Sequence, residues 1–228
     1  MSNQVGRTFC QAITQTVRLD YLLHLPNDYQ EGADARWPLI LFLHGSEEGG
    51  DDLDLVKTHG VPKIVEQKDD FPFVVVSPQC PSNSFWIGYS AHHTSQVDSL
   101  KPLLEHVLTT YSADPDRVYL TGLSNGGAAT WALAARHPEM FAAIAPVCGY
   151  GHPLMRYSLQ DMPTWVFHGA KDSVVPPERS KELVTALREV GNEPRFTLYD
   201  DLEHDCWTET YANPKLYEWF LSHSRSAR

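Results

Sequence analysis

Long apolar runs are missing from this chain of 228 residues. Its longest, such as Pro38–Leu43 (PLILFL), fall far short of the ~20 residues needed to cross a bilayer as a helix. The opening MSNQVGRTFCQAITQTVRLD has no continuous apolar core of the kind a secretory leader carries. The expectation is a cytoplasmic protein with no membrane partner. Basic residues are scarce as well. Against 29 Asp and Glu stand 18 Lys and Arg, for a formal net charge of -11. With no Lys/Arg-rich stripe, that balance argues against a nucleic-acid partner. It also disfavours strongly anionic substrates. The 4 cysteines (Cys10, Cys80, Cys148 and Cys206) are widely spaced, with no C-x-x-C pair. They read as reduced thiols, not as a zinc site or a disulfide framework. Repeats, long linkers and low-complexity tracts are absent too, so residues 1–228 are expected to form a single domain.

What the chain does have is 42% hydrophobic and 21% charged residues, a globular balance. Short β-rich runs alternate with helical patterns. TVRLDYLLHLP alternates as a two-sided strand, expected to open the sheet antiparallel. WPLILFLHG, FPFVVVSP, RVYLTGLS and PTWVFHG are near-continuous apolar runs, as parallel strands buried on both faces require. PRFTLYDD reads as one more strand. Between them lie SQVDSLKPLLEHVLTTY, GGAATWALAARH, PPERSKELVTALREVG and NPKLYEWFLSH, all helical. Gly191 suits a helix C-terminus, and Asn213 with Pro214 suits an N-cap and first turn. Alternating strand and helix predicts an α/β sandwich.

One stretch carries chemistry. In RVYLTGLSNGGAATW, Gly122-Leu123-Ser124-Asn125-Gly126 fits the pattern G-x-S-x-G. The pattern alone is a weak signal, since glycines also serve tight turns. Here it follows a predicted strand and opens a predicted helix, the setting in which a serine hydroxyl is lifted clear of a sheet. The helix N-terminus would favour a developing anion there. Such a serine needs a base and an orienting acid, in the chain order Ser, Asp/Glu, His. That order reduces the 11 histidines to His204 and His223. His223 falls near the end of the terminal helix, whereas His204 sits in the loop YDDLEHDCW beyond the last strand. The acid expected is Asp172, in the loop after TWVFHG, with an Asx-turn role as its plainer alternative. Two backbone N–H groups are expected to form an oxyanion hole, from Asn125 and from Ser46 in the loop after LILFLHG.

These motifs are similar to those of the small α/β-hydrolases of the phospholipase/carboxylesterase type, related to feruloyl esterases and polyhydroxybutyrate depolymerases. The resemblance runs through LFLHGSEEGGDDLDLVKTHGVPK, VVVSPQCP followed by Trp86, VYLTGLSNGGAATW, FHGAKDSVVP and EHDCWTETYANPKLYEWFLSH. It implies an α/β-hydrolase fold: a mostly parallel sheet flanked by helices on both faces. It also implies Ser124, Asp172 and His204 as catalytic residues, with Ser46 and Asn125 at the oxyanion hole. No metal or organic cofactor is implied. The chain departs from the group's pattern in the first loop, where Glu47 replaces a glycine and Gly49 an arginine. Trp86 and Trp207 are candidates for the walls of a substrate pocket, with core packing as the alternative. No apolar insertion of lid size follows a strand. The resulting expectation is a serine carboxylesterase acting on small, soluble esters. A peptidase of the same fold and a hydrolase fold kept as a binding module are the alternatives.

Overall fold

The run Trp37–Leu43 shows how one apolar segment serves two cores. Leu39, Leu41 and Leu43 pack in one, Ile40 and Phe42 in the other, because successive side chains of a strand point to opposite faces. In the computed structural model, which describes residues 5–12, 16–32, 34–68, 70–88 and 93–227, this run is strand β2 (Trp37–Leu43). Part of the N-terminal stretch read for a leader, residues 1–4 and 13–15, lies outside the described residues, as does His92.

The strands, in chain order, are β1 (Tyr21–His24), β2, β3 (Val74–Pro78), β4 (Ser84–Phe85), β5 (Thr94–Ser95), β6 (Ala113–Leu123), β7 (Ala143–Val147), β8 (Trp165–Gly169) and β9 (Arg195–Tyr199). Seven of them form one sheet in the order β1-β3-β2-β6-β7-β8-β9. β1 runs antiparallel to β3, as its alternating pattern led us to expect, and every other neighbour in this sheet is parallel. β4 and β5 pair separately as a short parallel ladder. The helices are α1 (Gly60–Glu66), α2 (Leu100–Thr110), α3 (Asn125–Arg136), α4 (Glu178–Glu189), α5 (Trp207–Ala212) and α6 (Pro214–Leu221).

Helices cover both faces of the sheet. Leu104 and Val107 of α2, Trp131 of α3 and Leu183 of α4 join one core. Val61 of α1, Tyr211 of α5 and Phe220 of α6 join the other. Truncating a ring in this second core, Phe42→Ala for instance, is expected to cost ~3–5 kcal/mol. The expected caps form: Asn213 accepts from the Lys215 N–H, and Gly191 takes φ 87 just past α4. No helix among the described residues is long and apolar enough to cross a membrane.

Five elements escaped the sequence reading: α1, α5, the two-residue strands β4 and β5, and β7. The last, AIAPV, is rich in alanine and contains Pro146, so it lacks the β-branched run expected of a central strand. Its small residues suit tight packing against α3, where a Cβ on Gly127 would lie 2.4 Å from the Val147 carbonyl oxygen. Because β6, β8 and β9 are parallel, their carboxyl ends share one edge of the sheet. The loops beyond Leu123, Gly169 and Tyr199 all open there.

Candidate active site

The turn after β6 is shaped by contacts that no side chain could survive. A Cβ on Gly126 would lie 2.0 Å from the Leu43 carbonyl oxygen, and one on Gly122 2.5 Å from that of Gly126. Between these glycines Ser124 adopts φ 54, ψ -116, a sparsely populated conformation for a residue with a side chain. The strained backbone is pinned by the Ser124 N–H bond to the Val147 carbonyl (3.0 Å) and by the Ala128 N–H bond to the Ser124 carbonyl (2.9 Å).

The structure brings Ser124, His204 and Asp172 together across 80 residues of chain. His204 Nε2 lies 3.0 Å from Ser124 Oγ, and His204 Nδ1 lies 2.7 Å from Asp172 Oδ2. A carboxylate can only accept, so Nδ1 carries the ring proton and Nε2 is left to accept from the serine hydroxyl. Asp172 is wholly buried in the loop after β8. Its other oxygen, Oδ1, accepts from the Val174 and Val175 N–H groups at 2.9 Å each. The Asx-turn contact and the contact with His204 are thus made by the two oxygens of one carboxylate. His223 lies elsewhere, bonded to the Trp219 carbonyl at the end of α6.

Asn125 is the first residue of α3, so its N–H has no partner within the helix. Its buried side chain clasps Ile87, donating to the carbonyl at 2.9 Å and accepting from the N–H at 3.3 Å. Ser46 lies on the exposed tip of the loop after β2. This loop closes on Ser124, since a Cβ on Gly45 would sit 3.7 Å from Ser124 Cβ. A groove of about 480 Å³ runs beside Ser46, bordered by Gly49, Ser82, Ser84 and Phe85.

The two tryptophans separate. Trp86 is 1% exposed, with its indole N–H on the His44 carbonyl (3.1 Å) and its ring against the His44 ring. It belongs to the core beneath the first loop and offers no face to a ligand, which corrects its expected place in the pocket wall. Trp207 is half-buried and stands edge-on to the His204 ring at 5.3 Å and 87°.

The acidic loop divides as well. Glu47 is exposed, whereas Glu48 is buried and its Oε2 has no hydrogen-bond partner among the described residues. Burial raises the Glu48 pKa, against the opposing pull of His59. Burial likewise lowers that of His44 to about 4. His44 donates Nδ1–H to the Gly45 carbonyl and accepts the Cys80 N–H on Nε2, the bonding of a neutral ring.

Two groups beside Ser124, His204 and Asp172 were not anticipated. His168 of β8 lies against Asp172, and Cys148 beyond β7, at φ 40, comes near both Asp172 and His204. One donor atom each from Cys148, Asp172 and His204 lies within 4.8 Å of the others. The set suits a metal poorly. Burial pushes the Cys148 thiol well up, which keeps it protonated, and the carboxylate oxygens are already engaged. The spacing of His168, four residues before Asp172 on the strand that carries it, was the available signal.

Residues 87–165 match the model of the prolyl oligopeptidase family (Peptidase_S9). The chain is similar to poly(3-hydroxyalkanoate) depolymerase C of Paucimonas lemoignei, 30% identical over 144 residues, covering 60% of this chain and 32% of that protein. It is also similar to feruloyl esterase B of Neurospora crassa, 32% identical over 96 residues, covering 40% and 33%. The matched regions therefore span about a third of these curated relatives. Among solved structures it resembles a thermostable esterase with TM-score 0.76 and 33% identity, covering 91% of this chain and 60% of that one. Esterase PE8 superimposes with TM-score 0.63 at 20% identity, covering 89% and 98%. Sheet order, flanking helices and these neighbours define the class: the chain has the α/β-hydrolase fold.

Proposed function

We propose that the protein is a serine carboxylesterase that hydrolyses small, soluble esters through an acyl-enzyme. The observation that carries this reading is the relay from Ser124 Oγ to His204 Nε2 (3.0 Å) and from His204 Nδ1 to Asp172 Oδ2 (2.7 Å). His204 takes the hydroxyl proton as Ser124 attacks the ester carbonyl, and Asp172 holds the ring in the tautomer that makes this possible. The negative oxygen of the tetrahedral intermediate is received by the N–H groups of Asn125 and Ser46. Each such donor is typically worth ~3–4 kcal/mol in the transition state. His204 then protonates the leaving alcohol, and water repeats the sequence on the acyl-enzyme. Trp207, edge-on to His204, walls the leaving-group side. The buried free thiols fit the cytoplasmic setting expected from the sequence.

The named esterases among its relatives and neighbours support the ester reading. The family match over residues 87–165 favours a peptidase as the second reading. Initial rates on p-nitrophenyl esters from acetyl to dodecanoyl, set beside a panel of chromogenic peptides, separate the two. Activity is expected on the short esters and absent in Ser124→Ala. Cleavage of peptides alone would replace the ester reading.

A further inference from the structure

Asp172 has more contacts than its partnership with His204 uses. His168 is wholly buried, and its Nε2 lies 3.1 Å from Asp172 Oδ2, the same oxygen that receives the His204 Nδ1–H bond. That nitrogen also donates to the Val175 carbonyl at 2.8 Å. Facing two acceptors, Nε2 must carry the proton. Nδ1 is then bare and accepts from the Ser180 hydroxyl at 2.7 Å. The loop is closed from the other side by the Val174 and Val175 N–H bonds to Asp172 Oδ1. One histidine therefore grips both the carboxylate and the backbone wrapped around it.

Such a grip has an electrostatic consequence. Oδ2 is shared between the N–H edges of two imidazoles, and since Asp172 and His168 are both fully buried, little solvent screens that oxygen. A carboxylate that receives more donors stabilises a neighbouring imidazolium less. We propose that His168 is a positioning residue for the candidate base: by setting its N–H edge on Asp172 Oδ2, it limits how far the carboxylate favours the protonated ring of His204. His204 then stays in its base form to lower pH than Asp172 alone would permit. The inference rests on the triad reading for its catalytic meaning, and on geometry for its electrostatics.

His168 is suited to the task because it stays neutral. Burial lowers its pKa, against the raising effects of the Val175 carbonyl and Asp172. Other titratable groups surround this cluster. Cys148 and Cys206 are buried thiols, and burial holds the former protonated. Glu178, at the start of α4, is held low by its own backbone N–H and remains a carboxylate facing His168. His59 stands beyond Trp207, while Glu203 and Asp205 flank His204 on its own loop.

The test compares wild type with His168→Phe, which keeps a ring and loses the donor, and His168→Gln, which restores an N–H. Two profiles are read against pH: kcat/KM on p-nitrophenyl acetate, and the NMR titration of the His204 ring. In the Phe variant both midpoints are expected to move to higher pH by about half a unit. That shift is roughly a threefold loss of kcat/KM well below the midpoint and none well above it. KM should change little, and Gln should return both midpoints towards wild type. If the Phe variant does not fold, His168→Asn, which keeps a polar group beside Ser180 but lacks the donor near Asp172, should give the same shift. Unmoved midpoints with a loss uniform across pH would overturn the proposal and leave His168 a packing residue. The NMR arm needs no turnover. A wild type that hydrolyses no ester would sink the esterase reading, while the ring titration still decides this one.

Discussion

His44 and Glu48 lie 3.8 Å apart beneath the first loop, and burial drives each towards its neutral form. Burial therefore works against an ion pair between them. If the proposed reaction develops an oxyanion nearby, surroundings that disfavour charge on Glu48 are electrostatically sensible, since a fixed carboxylate there would oppose it.

The His44 ring gives the first prediction. Its pKa is about 4 in the folded protein against 6.5 ordinarily, so between these values the unfolded chain binds the extra proton. Stability thus rises with pH across that window and is fully present above it, by on the order of 3 kcal/mol for this ring. His168, also held low by burial, adds in the same direction. Glu48, held high, acts in the opposite sense: its contribution is lost as pH rises through its folded value. Urea midpoints at pH 4.5, 5.5 and 6.5 measure the slope, and His44→Gln should flatten it.

Glu48→Gln is expected to stabilise the fold at pH 8 by ~1–2 kcal/mol, because it removes the cost of ionising a buried carboxyl whose Oε2 has no hydrogen-bond partner among the described residues. At pH 4, where the native carboxyl is already protonated, the gain should vanish. Chemical denaturation at the two pH values checks this, and equal gains at both would contradict it.

Asp172→Asn separates the two oxygens. The amide oxygen can still accept the Val174 and Val175 N–H bonds, whereas the amide nitrogen cannot accept from His204 Nδ1. The ring is left in the wrong tautomer, so kcat should fall by ~10³–10⁴-fold with the melting temperature changed by only a few degrees. A variant that loses activity by unfolding would show the reverse pattern in differential scanning calorimetry.

Trp86 and Trp207 should respond oppositely to truncation. Trp86→Ala empties the core under the loop and is expected to cost ~3–5 kcal/mol. Trp207→Ala should leave a folded protein whose KM shifts with the size of the leaving alcohol. Denaturation midpoints beside KM values for methyl and aryl acetates distinguish them.

Much of this was legible in the sequence because strong local signals and global order agreed. Continuous apolar runs marked β2, β3, β6 and β8, and the elbow glycines of RVYLTGLSNGG sit where backbone contacts leave no space. The chain order of serine, acid and base selected three residues that the fold brings within hydrogen-bond reach. What was not legible depends on tertiary fit. β7 is a strand by packing, not by propensity, its alanines and Pro146 accepted between β6 and β8. α1 carries Gly60 at φ 70 and Pro62, neither a helix former. Trp86 and Trp207 look alike in sequence, and burial alone separates them. His168 reads as the end of a strand until the fold turns its ring onto Asp172.

The elbow joint also determines where this molecule can change. Backbone meets backbone at Gly122 and Gly126, so substitution there has no tolerated direction. The rim beside Ser46, by contrast, is built from exposed Ser82 and Asn83 and half-buried Phe85. Mutational libraries aimed at new ester preferences should therefore recover active variants from residues 82–85 and almost none from 122–127. A lineage of this fold can vary at the rim while Ser124 stays frozen in place.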